Sequence, residues 1–69
     1  MKQARVVDAD QNYHGFRDGT LVAVDGDIEG GDYYCTNVED TVSSEFFDGE
    51  PYEAGNLIQW VPSEQLQFI

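Results

Sequence analysis

Fourteen acidic side chains, one histidine and one cysteine are the groups in this 69-residue chain best suited to chemistry. His14 lies among Asp8, Asp10 and Asn12, and a histidine beside a carboxylate is a common proton-transfer pair near neutral pH. No serine or cysteine adjoins it as a nucleophile, so the spacing predicts a loop histidine and no catalysis. Asp8-Ala9-Asp10-Gln11-Asn12 copies the opening of a calcium loop. The sixth position is then Tyr13 where glycine is needed, and the twelfth is Gly19 where glutamate is needed. Asp25-Gly26-Asp27-Ile28-Glu29 fails in the same way, with Thr36 in the twelfth position. No dedicated metal site and no cofactor is expected. Cys35 has no cationic sequence neighbour to lower its pKa, so it reads as a small packed hydrophobe in a reducing compartment. A single cysteine excludes an intramolecular disulfide.

Binding is the chemistry that remains. Glu45-Phe46-Phe47-Asp48-Gly49-Glu50-Pro51-Tyr52-Glu53 sets three aromatics among four acids. Aromatics carry binding energy and rim charges speed encounter, so Phe46, Phe47, Tyr52, Glu45, Asp48, Glu50 and Glu53 are candidate contacts for a basic partner. Adjacent strand residues face opposite ways, so at least one of Phe46 and Phe47 is expected to fold back over the core. Trp60 falls on the face opposite Val61 if the last strands alternate, which places it on the outer surface or under a flap from the long loop. Asp25, Asp27, Glu29 and Asp32 on one loop, with Glu39, Asp40, Glu45, Asp48, Glu50 and Glu53 on another, could form a row of carboxylates. Such a row imitates the regular negative charge of a duplex, about one per 1.7 Å of axis. The dull alternative is an even acidic coat.

The charge balance narrows the partner. Fourteen acids and three bases give a net charge of −11. Lys2, Arg5 and Arg17 are the bases, and only Asp8 and Asp10 precede Asp18, so twelve acids follow with no lysine or arginine. Direct binding to nucleic acid is therefore not expected, because that affinity comes from basic contacts. Acidity of this size opposes compaction by self-repulsion. Solubility or salt adaptation is the bland explanation for it and a basic partner the sharper one. No apolar run approaches the roughly 18 residues of a membrane span, and Met1-Lys2-Gln3 starts no signal peptide, so a cytoplasmic protein is expected.

The elements that must position these groups read as short strands. Gln3 to Ala9 predicts the first strand and Asp10 to Gly15 a loop. Phe16 to Val24 predicts the second, with Val22 and Val24 facing the core and Leu21 and Ala23 facing out. Asp25 to Asp32 reads as a loop, because Asp25-Gly26 and Gly30-Gly31 are turn-forming. Tyr33 to Val38 is a third strand and Thr41 to Phe47 a fourth. Asp48 to Asn56 reads as a loop. Leu57 to Val61 is a strand stopped by Pro62, Ser63-Glu64-Gln65 a 3₁₀ turn, and Leu66 to Ile69 the last strand. No helical period persists over eleven residues. One small all-β domain over residues 1–69 is expected, with Val6, Phe16, Val22, Val24, Cys35, Val61, Leu66 and Phe68 in its core.

The order of these residues resembles SH3 domains. Phe16-Arg17-Asp18-Gly19-Thr20-Leu21-Val22-Ala23-Val24 is similar to their Phe-x-x-Gly-Asp-x-Leu-x-Val stretch. Tyr33-Tyr34-Cys35-Thr36 sits at their paired aromatics, and Val61 to Ile69 resembles their closing aliphatic-Pro-Ser segment. The resemblance implies an SH3-like barrel of five or six antiparallel strands with a 3₁₀ turn before the last. The family binds proline-rich peptides on an aromatic groove. Tyr33 and Pro62 match that groove, whereas Gln65 stands at its tyrosine, so the barrel is carried over and the peptide activity is not. Small acidic proteins encoded by bacteriophages have a similar build, which would place this one in a host cytoplasm.

These readings converge on a non-enzymatic acidic protein that occupies the basic surface of a nucleic-acid-binding protein, as a mimic or inhibitor. The alternative is an SH3-like adaptor or structural module whose acidity serves only solubility. The edge of the fourth strand could also pair with a second copy.

Overall fold

The computed structural model describes residues 2–9 and 13–69, with the backbone alone for 27–29. Seven strands are present among them: β1 Lys2–Val6, β2 Leu21–Glu29, β3 Asp32–Asn37, β4 Thr41–Val42, β5 Pro51–Tyr52, β6 Ile58–Pro62 and β7 Leu66–Phe68. A 3₁₀ turn at Ser63–Gln65 precedes the last strand, as expected. The chain is all-β. Five strands form one curled antiparallel sheet in the order β6-β3-β2-β1-β7, and β4 and β5 pair separately.

Alternation in β2 governs the core. Val22 and Val24 point inward, while Leu21 and Ala23 are half-buried on the other face. Each inward residue meets an inward neighbour: Ala4 lies opposite Val22 in β1, and Cys35 lies opposite Val24 in β3. Val6, Val61 and Leu66 complete the wall, and Phe16 and Leu57 enter it from the connections. Ala4 and Leu57 join the expected core residues.

Phe16 lies outside the strand predicted to hold it. Thr20 N–H and the Thr20 hydroxyl both donate to Arg17 O, at 3.2 and 2.8 Å, so the chain turns at residues 17–20. Gly19 sits there at φ 85°, a region glycine enters without a Cβ clash. β2 therefore begins only at Leu21, and the fully buried Phe16 drops into the core from the preceding loop.

The predicted Asp25–Asp32 loop is also corrected. β2 runs through it to Glu29, with a register shift between Asp25 and Glu29. Gly26, at φ 67°, supplies the left-handed residue of that irregularity. The turn itself is Gly30-Gly31, both at positive φ, the signature of a two-residue hairpin loop.

The fourth strand is shorter than expected and the following loop is not strandless. β4 stops at Val42 because Ser44 O accepts N–H bonds from Phe47, Asp48 and Gly49, which wraps the chain into a turn. β5 then returns inside the predicted Asp48–Asn56 loop, with Tyr52 opposite Thr41.

Phe68 is the one expected core residue that is not buried, at 42% exposure. The sheet is open, with β6 and β7 at its ends, so Phe68 stands at the rim rather than inside a closed wall. It pairs with Ala4 and reaches the edge of Tyr33, ring centroids 5.6 Å apart. That contact joins β7 to β3, which are not neighbours in the sheet, and narrows the open side.

Candidate partner-binding surface

Segment 38–57 leaves the sheet after β3 and returns before β6. Asn37 holds both ends. Its side-chain amide donates to Glu39 O and Glu53 O at 2.8 and 2.9 Å, and its Oδ1 accepts from Leu57 N–H at 2.9 Å. Asp40 Oδ1 accepts from Ala54 N–H at 3.0 Å. The flap is docked onto the 13–20 loop: Ser44 N–H donates to Gly15 O at 2.7 Å, and the Arg17 guanidinium donates to Ser43 O at 3.1 Å.

A polar clasp holds the turn at its tip. The buried Ser43 hydroxyl donates to Asp48 Oδ1, the Tyr52 hydroxyl donates to Asp48 Oδ2, and Glu50 N–H donates to Asp48 Oδ1 at 3.1 Å. The Ser43 bond, then the Tyr52 bond, holds the Asp48 carboxyl below its ordinary value. The same Asp48 bond raises the Tyr52 phenol above its own. Asp48 and Tyr52, both candidate partner contacts, are thus employed in shaping the turn, and Tyr52 also packs against the core.

The aromatics of the turn behave differently from each other. Phe46 is 68% exposed. Phe47 lies against Gly15, where an added Cβ would meet its ring at 2.9 Å, yet it is 47% exposed and outside the core cluster, so it leans on the 13–20 loop and does not fold back over the core as expected. Glu45, Glu50 and Glu53 are exposed beside them. Two grooves flank β4. One, of about 480 Å³, runs between Arg17–Leu21 and Glu39–Val42 and includes Asp18, Glu39 and Asp40. The other, of about 610 Å³, is lined by Asp40–Val42 and Pro51–Glu53.

Trp60 belongs to a second surface. It lies opposite Tyr34 on the outward face of the sheet, ring centroids 5.0 Å apart, while Val61 beside it is fully buried. The structure therefore does not bring Trp60 to Phe46, Phe47 and Tyr52, whose turn lies on the loop side. Asp25 is exposed and in register with Tyr34, which puts it on the Trp60 face. The side chains of Asp27 and Glu29 lie outside the described residues. Tyr34 and Ile58 complete this face and were not among the expected contacts. The signal for Tyr34 was the alternation Tyr33-in, Tyr34-out, which becomes useful only once the Tyr34–Trp60 register is known.

The groups considered for catalysis or metal binding are otherwise placed. Asp10 and Asn12 lie outside the described residues. His14 is buried: Phe16 N–H donates to its Nδ1 at 3.1 Å, so its Nε2–H faces Gln65 Oε1 at 2.8 Å. It fastens the loop to the 3₁₀ turn. Among the described residues no group of three or more His, Cys, Asp or Glu is placed to hold a metal ion. Burial pushes the Cys35 thiol up to about 12, which leaves it protonated and unreactive near neutral pH. Among the described residues no helix is long and apolar enough to cross a membrane.

Comparison with protein-family models, curated proteins and solved structures finds no match for this chain.

Proposed function

We propose that this is a non-enzymatic acidic binding protein that occupies the basic surface of a nucleic-acid-binding protein and competes there with nucleic acid. The observation that carries the reading is the flap. It presents Phe46 to solvent between Glu45 and Glu50, and the grooves beside it carry Asp18, Glu39, Asp40 and Glu53. Lys2, Arg5 and Arg17 are exposed, but each has a contact within the fold. Arg5 donates to Gly19 O at 3.0 Å, Arg17 holds Ser43 O, and the Lys2 ammonium lies 5.8 Å from the centre of the Phe68 ring. Carboxylates on such a surface would displace phosphates from a basic partner, and the exposed aromatics would anchor the complex. Five antiparallel strands with a 3₁₀ turn before the last support the SH3-like reading of the scaffold. A cytoplasmic setting, in a bacteriophage host, belongs to the same proposal.

The test is capture of cytoplasmic protein on the immobilised chain at low ionic strength, with elution by salt steps or by duplex DNA. Captured nucleic-acid-binding proteins should leave at moderate salt and be displaced by the duplex. Retention indifferent to both salt and DNA would overturn the reading in favour of an adaptor module whose charge serves solubility.

A further inference from the structure

We infer that the outward face formed by Asp25, Tyr34, Trp60 and Ile58 is a second surface, beside the flap, on which the basic partner docks, and that it recognises an arginine side chain. The inference rests on the basic-partner reading above and names its second contact surface. Asp25, Tyr34 and Trp60 occupy one cross-strand row, on β2, β3 and β6. Tyr34 and Trp60 are 39% and 42% exposed, and their rings incline at 52°. Ile58, on the same face of β6, extends the apolar floor.

Neighbouring strands stand about 4.8 Å apart, so the Asp25 carboxylate is two strand spacings from Trp60. An arginine laid across the row would place its planar, weakly hydrated guanidinium on the aromatic pair and its N–H groups toward Asp25. The charge pattern selects this occupant. A second copy would bring −11 against −11, and its described cations are already bonded to backbone carbonyls or set over Phe68. A cross-strand aromatic pair also stabilises a sheet, but that role predicts no preference between arginine and lysine.

Trp60 is the only tryptophan, so its emission reports from the site itself. The experiment titrates the protein with a glycine-spaced hexa-arginine peptide and with its lysine counterpart of equal charge, at one low ionic strength. Emission is followed beside backbone amide NMR shifts. The expected result is a saturable change in Trp60 emission, with the arginine peptide about fivefold tighter. Asp25→Asn, at an exposed position, should weaken that peptide about threefold or more and leave the unfolding midpoint in place. Tyr34→Leu, read by NMR, should erase the preference for arginine. Equal affinity for the two peptides, or shifts confined to 41–53 with Trp60 emission unmoved, would overturn this surface while leaving the basic-partner reading intact. Failure of both peptides to bind at low salt would overturn both.

Discussion

Asn37 and Leu57, twenty residues apart, are joined twice: Leu57 N–H donates to Asn37 Oδ1 at 2.9 Å, and Asn37 N–H donates to Leu57 O at 3.2 Å. Asn37 is fully buried on the core face, opposite Val22. A polar side chain there is tolerated because all its donors and acceptors are met, and by satisfying Glu39 O, Glu53 O and Leu57 N–H together it closes the base of the flap. The flap is therefore held at its base by a side chain that is itself buried.

Asn37→Leu should destabilise the fold by about 3 kcal/mol, because it strands one buried N–H and two carbonyls while changing volume little. Asn37→Asp should cost at least as much, since a carboxylate would face Glu39 O and Glu53 O with no proton to give. Urea unfolding measures both. A midpoint shift below that of an ordinary surface substitution would remove Asn37 from this role.

The two buried serines of the flap should separate cleanly. Ser43→Ala removes the hydroxyl that donates to Asp48 and accepts from Glu50 N–H, and should cost about 1–2 kcal/mol. Ser44 Oγ is buried with no hydrogen-bond partner, so Ser44→Ala should be neutral or slightly stabilising. Thermal melts of the two variants check the contrast.

Phe16→Ala should cost about 3–5 kcal/mol, as its ring is fully buried and the cavity would adjoin the His14 ring, 5.7 Å away. A domain of this size has little stability to spare, so the variant should be largely unfolded by circular dichroism at 25 °C.

The Asp48 clasp sets a pH dependence. Asp48 titrates below its ordinary 3.8 in the folded chain, so its contribution is present above that value and is lost as pH falls through the lower, folded pKa. Tyr52 titrates above its ordinary 10.0, so its contribution is present below pH 10 and is lost as pH rises through the higher value. Asp48→Asn should flatten the acid limb of stability against pH. Tyr52→Phe should flatten the alkaline limb. Stability curves unchanged in shape would show the clasp to be without effect.

Cys35 should resist alkylation. Its thiol is buried and pushed up to about 12, so iodoacetamide at pH 8 should modify it only through unfolding. The modification rate should rise with urea in step with loss of structure.

Much of this molecule can be read from the order of its residues. The all-β class, the inward face of Val22 and Val24, the outward side of Trp60 and the 3₁₀ turn at Ser63–Gln65 follow from alternation and turn chemistry, which act over a few residues. What alternation could not supply is context for glycine and for the chain's ends. Gly26 has the local signature of a turn, yet a partner strand on one side turns it into an irregularity within β2. Phe68 has the pattern of a core residue, yet an open sheet leaves it at the rim.

The amino-acid order alone determined that this would be a small, strongly acidic β protein with its bases confined to the first seventeen residues. Only tertiary structure decided that Phe46 and Trp60 belong to different surfaces, that Tyr34 stands against Trp60, and that Asp48 is committed to Ser43 and Tyr52. The physical reason is range. Charge and alternation are properties of neighbours along the chain, whereas a shared surface depends on strand register and on how the sheet curls, which no local pattern encodes.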